Sequence, residues 1–240
     1  MRLPVIQGTI RRRILANFRI DPEVMKRELP SRFTPKLQNG CAVAGICLIR
    51  LEHVRPRAVP EIVGLSSENA AHRVAVTWDE DGETREGVFI SRRDTNSQLN
   101  QLLGGRIFPG EHHRAVFSVE ESESEISLRM KSEDGSVAVE IAGCVGSTLP
   151  VNSIFSSLEE ASMFFEKGSI GYSVTRQPER LDGLELRTTD WRVEPLTVSN
   201  IYSSYFAATN RFPDGSIEFD HALIMRNVEH EWHSAVDLYV

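Results

Sequence analysis

The 240-residue sequence predicts a mainly β fold of the α+β kind, a closed antiparallel β-barrel or cone carrying a few short helices. Three observations point there. Apolar residues alternate with period two through many short runs, only three segments carry helical spacing, and no strand–helix–strand rhythm runs along the chain. Closure is expected because it removes exposed strand edges. No Pro/Gly/Ser linker or internal repeat divides the chain, so residues 1–240 read as one domain.

The first twenty residues hold five Arg and no acid, yet contain no Ser and no convincing amphipathic helix. They read as an opening strand rather than a targeting segment. "DPEVMKRELP" reads as a first helix, capped by Asp21, opened by Pro22 and stopped by Pro30. "CAVAGICLIR", "HRVAVTW" and "EGVFIS" read as strands, with "RPRAVPEIVG" an ordered loop after the first. "DTNSQLNQLLGG" predicts a second helix, with Leu99, Leu102 and Leu103 on one face and Gly104 closing it. "EISLRMKSEDGSVAVEIA" predicts a hairpin turning at Asp134-Gly135. In "SLEEASMFFEKG", Ser157 and Glu160 form a capping box for a third helix that ends at Gly168. "LELRTT", "WRVEPLTV" and "SIEFDHALIMR" complete the strands.

Charge and composition narrow the function. A net charge of −7 gives no general attraction for phosphate backbones, so no nucleic-acid partner is expected. No apolar run is long enough for a membrane span. Cys41, Cys47 and Cys144 are odd in number and widely spaced, which suggests half-buried reduced thiols in a cytoplasmic protein. GxSxG, GxxxxGK[ST] and GxGxxG are all absent, and no cofactor is expected. "HEWH" (His230 to His233) spaces its histidines by three rather than the four of a zinc helix, so no metal is expected either. The run "EESESE" reads as a solvated turn.

"GGRIFPGEHHRA", Gly104 to Ala115, concentrates the chemistry. Strand alternation places His113 with Ala115, Phe117 and Val119 on an inward face and His112 on the other. His72 shares a face with Val74 and Val76, which suits an inward group or simply a packed strand histidine.

The stretches "SSENAAHRVAV" and "GVFISRRDTNSQLNQLLGGRIFPGEHHRA" resemble an uncharacterised conserved domain family of the acetoacetate-decarboxylase-like superfamily. "ELPSRFTPKLQNG" and "HALIMRNVEHEWH" resemble that family's first helix and turn and its closing strand. The resemblance implies a β-cone around an internal cavity. In the decarboxylases a Gly-Arg element leads into Gly-Phe-Pro-Lys-Lys-x-Ala, whose first Lys forms an imine with the keto acid. Here Gly105-Arg106 and Phe108-Pro109 match, and His112-His113-Arg114-Ala115 falls where Lys-Lys-x-Ala would be. Imidazole cannot form that Schiff base. None of the chain's four lysines, Lys26, Lys36, Lys131 and Lys167, has a desolvated sequence setting that would let it substitute. By the same resemblance Glu68 corresponds to a glutamate near the decarboxylase lysine, although it also fits an exposed loop carboxylate.

Two functions follow as expectations. One is an enzyme acting on a small keto acid or related organic acid. His112 or His113 would be its acid/base, Glu68 the partner, Arg106 or Arg93 the carboxylate anchor, and His72 a further cavity group. A bulge at Gly110-Glu111 would reconcile the strand spacing, which favours His113, with the motif, which favours His112. The other is a non-catalytic protein holding an anionic or lipid-like apolar ligand in the same cavity. In either case a homo-oligomer is possible on this sequence, and convergence of titratable groups separates enzyme from binder.

Overall fold

A computed structural model describes residues 4–98 and 110–240 of the chain. The strands are β1 (Ile6–Ile20), β2 (Thr34–Pro35), β3 (Leu37–Gln38), β4 (Cys41–Pro56), β5 (Leu65–Glu80), β6 (Glu83–Thr95) and β7 (His112–Glu121). They continue as β8 (Glu125–Ser132), β9 (Ala138–Val145), β10 (Ile170–Val174), β11 (Arg180–Thr188), β12 (Glu194–Ser203), β13 (Ile217–Ser234) and β14 (Leu238–Tyr239). Helix α1 spans Pro22–Arg27, with the Asp21 carboxylate accepting from the Glu23 and Val24 amides. Helix α2 spans Leu158–Glu166. The Ser157 hydroxyl accepts from the Glu160 amide, but the Glu160 carboxylate reaches Ser156 rather than the cap residue itself. The helix expected around Leu99, Leu102 and Leu103 lies outside the described residues.

The strands close, but into two circuits rather than one barrel. Strands β6, β5, β4, β1 and β13 form a shared central sheet. On its outer edges, residues 88–90 of β6 pair with β10, and residues 230–234 of β13 pair with β11. Since β10 pairs with β11, this closes a seven-stranded circuit. Further along the same edges, residues 93–95 of β6 pair with β7 and residues 222–224 of β13 pair with β12. The β7–β8–β9–β12 run then closes a nine-stranded circuit. The pairings β6–β7 and β6–β10 are parallel, in a sheet that is otherwise antiparallel as expected. Each edge of the central sheet forks, so it meets two partners in turn along its length.

Sharing a wall gives the central sheet two buried faces. Ile14 and Ala16 of β1, Ile46 and Leu48 of β4, and Ala70 and Val74 of β5 face the larger core. That core is completed by Leu128, Ile141 and Phe206. The alternate residues Leu15, Cys47, Ala71 and Ala75 face the smaller circuit, which Phe164 and Phe165 of α2 cover from one side. This is why "CAVAGICLIR" is apolar almost throughout instead of alternating.

Leu48 is fully buried in the larger core on a central strand. Leu48→Ala is expected to lower the unfolding free energy by about 2–5 kcal/mol, measured by urea denaturation. A change within error would mean that the nine-stranded circuit carries little of the stability.

Candidate functional site

The seven-stranded circuit is not filled. It holds a cavity of about 120 Å³, and every one of its seven strands contributes to the wall. The cross-strand register arranges that wall in rows. One row runs Cys47 on β4, Ala71 on β5, Arg93 on β6 and His112 on β7. The row to one side holds Arg13, Ile49 and Asn69. The row to the other holds Asn17, Gly45 and Arg73. Small Ala71 is therefore the floor, with a thiol and a guanidinium beside it and Asn69 and Arg73 above and below.

A bulge builds this geometry. Ile90 pairs with Arg73 and Arg92 with His72, which leaves Ser91 as the extra residue of β6. The insertion lets Ile90 and Arg93, three apart, both line the cavity. Gly110 positions His112. Its φ of +83° is one that L side chains rarely adopt, and a Cβ there would collide with Ser173.

Arg13, Arg73 and Arg93 all reach the cavity. Arg73 is only 4% exposed. Burial lowers the pKa of Arg73 and of Arg93 to about 10, so both stay cationic at neutral pH. Among the described lining residues the one carboxylate is Asp94, and it is already held by Arg92, with Nε to Oδ2 at 3.0 Å and Nη2 to Oδ1 at 2.8 Å. Arg93 Nε donates to Ser173 Oγ at 3.0 Å, and Arg13 Nε to Cys47 Sγ at 3.2 Å. The wall thus carries more positive charge than it compensates.

His112 lies on this wall, half-buried, with Nδ1 3.3 Å from the Gly110 carbonyl. A carbonyl only accepts, so Nδ1 carries the proton and Nε2 keeps its lone pair. Burial, and next the Arg93 cation, lower its pKa to about 3, which makes it a neutral imidazole at pH 7.

Arg73 is anchored across a bare strand. Its Nη2 passes over Gly45 and donates to Asn17 Oδ1 at 2.6 Å. Asn17 Nδ2 then faces His221 Nε2 at 3.1 Å, and His221 Nδ1 lies 2.6 Å from Asp220 Oδ2. Arginine can only donate, which fixes the amide orientation. Nε2 of His221 must then accept, and its proton sits on Nδ1, directed at Asp220.

The structure separates the other sequence candidates. His113 shares its face with Ala115 on the larger-core side and approaches Asp134 at 3.7 Å. The pairings of β7 with β6 and β8 show no register shift, so the bulge expected at Gly110-Glu111 does not occur in them. Spacing was right about His113 and the apolar face; the cavity lies behind the other one. Glu68 is not on the cavity. It is buried against Arg12, with Nη2 to Oε2 at 2.5 Å, and burial raises its pKa against the pull of Arg12 and Arg50. His72 is also elsewhere, because even-numbered residues of β5 face the larger core. It stacks on Tyr205 with ring centroids 4.4 Å apart. Arg93 does line the cavity, while Arg106 lies outside the described residues. No lysine lines the cavity: Lys36 sits on a side pocket of about 20 Å³, paired with Glu86, and Lys26, Lys131 and Lys167 are exposed. Among the described residues there is no cluster suited to a metal and no helix long and apolar enough to cross a membrane. Sequence reasoning missed Arg13, Arg73 and Cys47. The available signal was Arg73, the one arginine of β5, set directly before the apolar run Val74 to Val76.

A mainly β chain whose strands close around such a cavity has the fold seen in acetoacetate decarboxylase and proteins like it. Acetoacetate decarboxylase from Legionella pneumophila superposes with a TM-score of 0.62 at 11% identity, over 98% of this chain and 88% of that one. An acetoacetate decarboxylase-like enzyme from Sphingomonas wittichii gives 0.61 at 10% identity, over 99% and 93%. The enduracididine biosynthesis enzyme MppR, complexed with pyruvate, gives 0.60 at 10% identity, over 97% and 89%. No curated protein matches the chain in sequence. Residues 7–223 match the DUF2071 family, described as an uncharacterized conserved protein, and the chain belongs to that family.

His72 makes the fold's acid response testable. Burial first, then Arg92 and Arg211, lower its pKa from 6.5 to about 3. Between those values the unfolded chain binds more protons than the native one, so stability rises with pH across the window and is lost on acidification below 6.5. The urea midpoint should fall from pH 7 to pH 5, and His72→Phe should remove up to about 1.4 kcal/mol per pH unit of that slope. An unchanged slope in the variant would show that His72 is not held neutral.

Proposed function

We propose that the cavity binds a small keto acid or related organic acid and that His112 moves a proton at the carbon beside its carbonyl. The observation that carries this reading is the set of three guanidiniums, Arg13, Arg73 and Arg93, around a cavity whose one described carboxylate is already engaged. A guanidinium offers a carboxylate two parallel N–H donors. The MppR relative is complexed with pyruvate, which supports the same ligand class here.

The roles follow from the rows. The acid lies over Ala71 with its carboxylate on Arg93 and Arg73. Its arrival offsets the Arg93 charge that helps to keep His112 neutral, so the imidazole becomes a better base once substrate is bound. His112 Nε2 takes a proton from the carbon next to the carbonyl, the electron pair moves to the carbonyl oxygen, and a guanidinium stabilises that enolate. The cycle closes when the imidazolium returns a proton to carbon. No imine is involved, since no lysine lines the cavity.

Pyruvate in D2O tests this directly. The protein should catalyse deuterium exchange into the methyl group, followed by NMR. His112→Gln should slow it by about 10²-fold while pyruvate still binds. The His112 dependence of kcat/KM should be flat from pH 5 to 8, because the free imidazole titrates at about 3. Ala71→Leu should plug the floor and abolish binding. Binding without exchange would leave the cavity as a binder, and no binding of any small keto acid would end the reading.

A further inference from the structure

We propose that Cys47 is a nucleophile for anionic electrophiles, namely carboxylic acids with an electrophilic carbon beside the carboxylate, either α-halogenated or α,β-unsaturated. The proposal rests on the cavity receiving an organic anion, but not on His112 or on turnover.

The thiol faces the cavity, while its neighbours Ile46 and Leu48 face the larger core. Arg13 Nε donates to its sulfur at 3.2 Å. A sulfur is a poor acceptor for a guanidinium, and among the described residues no carboxylate is bonded to that N–H. Two further donors on the wall have no partner among the described residues: buried Nη1 of Arg13, and Nε of Arg73, whose side chain is more than nine-tenths buried. Cys47 is near enough to Arg73 and Arg93 for a negative sulfur to stabilise both cations. In the row, Cys47 and Arg93 flank Ala71, and strands stand about 4.8 Å apart, so the two Cα atoms are roughly 10 Å apart. A small acid bridging them sets its carboxylate on Arg93 and its reactive carbon at the sulfur.

With an α-halo acid the sulfur forms an S–C bond at the halogenated carbon, the halide leaves with the C–halogen pair, and the thiol proton passes to solvent. With an unsaturated acid the sulfur adds to the β-carbon, the π pair moves to the α-carbon and the thiol proton ends there. Neither step needs a cofactor. The guanidiniums stabilise negative charge on both reacting partners.

Iodoacetate and iodoacetamide deliver nearly the same alkyl group with and without a charge, and the chain supplies its own control. Cys144 is exposed and sits across from Glu125. Each reagent is applied separately to the full chain, and alkylation is followed at each cysteine by peptide mass spectrometry. The iodoacetate-to-iodoacetamide rate ratio at Cys47 should exceed that at Cys144 by about tenfold or more. Arg93→Met should bring the Cys47 ratio down towards that of Cys144, with the Cys144 ratio unchanged. Equal ratios at the two cysteines, or no reaction at Cys47 while Cys144 reacts, would overturn the proposal. Deuterium exchange by Cys47→Ser tests the keto-acid reading separately. Exchange without selective alkylation leaves that reading and sinks this one, and selective alkylation unaffected by pyruvate, with no exchange, does the reverse.

Discussion

The middle stretches of strands β6, β5, β4, β1 and β13 are largely buried on both faces, because two circuits close against the same sheet. Every other feature depends on that. A strand with two buried faces must be apolar on both or must pair whatever polar groups it buries. On the larger-core face the chain takes mostly the first course, with Ile14, Ile46, Leu48 and Val74. On the other it keeps Arg13, Cys47, Arg73 and Arg93 around a space that side chains do not fill.

Keeping charges there is costly. Burial opposes the cationic form of both Arg73 and Arg93. Compensation is partial and nearly neutral in character: an amide oxygen and the Phe165 ring for Arg73, a hydroxyl for Arg93, a sulfur and the Trp191 ring for Arg13. A chain selected for stability alone would place carboxylates beside such groups, as it does for Arg12 with Glu68 and for Arg92 with Asp94. The contrast between paired arginines outside the cavity and carboxylate-free arginines on it is what marks the site.

Much of the architecture was legible in the residues. Period-two runs, the Asp21 and Ser157 caps and the Asp134-Gly135 turn are local signals, and the strands and helices they mark are present. The forked edges were not legible, because pairing of β6 with both β7 and β10 depends on contacts remote in sequence. The site shows the same division. Alternation correctly set His112 and His113 on opposite faces, but a rule for one buried face cannot say which face holds a cavity when both are buried. The motif resemblance pointed to His112, the residue found on the wall. Glu68 and His72 occupy even positions of β5, and nothing local distinguishes the face they share from the one that carries Arg73. The Ser91 bulge, which brings Arg93 inward, has no signature in "FISRRD".

Gly45 gives the arrangement a wider meaning. With no side chain between them, Arg73 and Asn17 touch across β4, and the contact continues through His221 to Asp220. Asp220 in turn accepts from Ser153 and from the Ile154 amide, at the start of the segment leading to α2. One guanidinium of the cavity wall is thereby connected to the segment that carries α2, whose Phe165 ring lies under that same guanidinium. Buried polar groups strung together in this way lose more than one bond when a member is removed, so Arg73, Asn17, His221 and Asp220 hold or fail together.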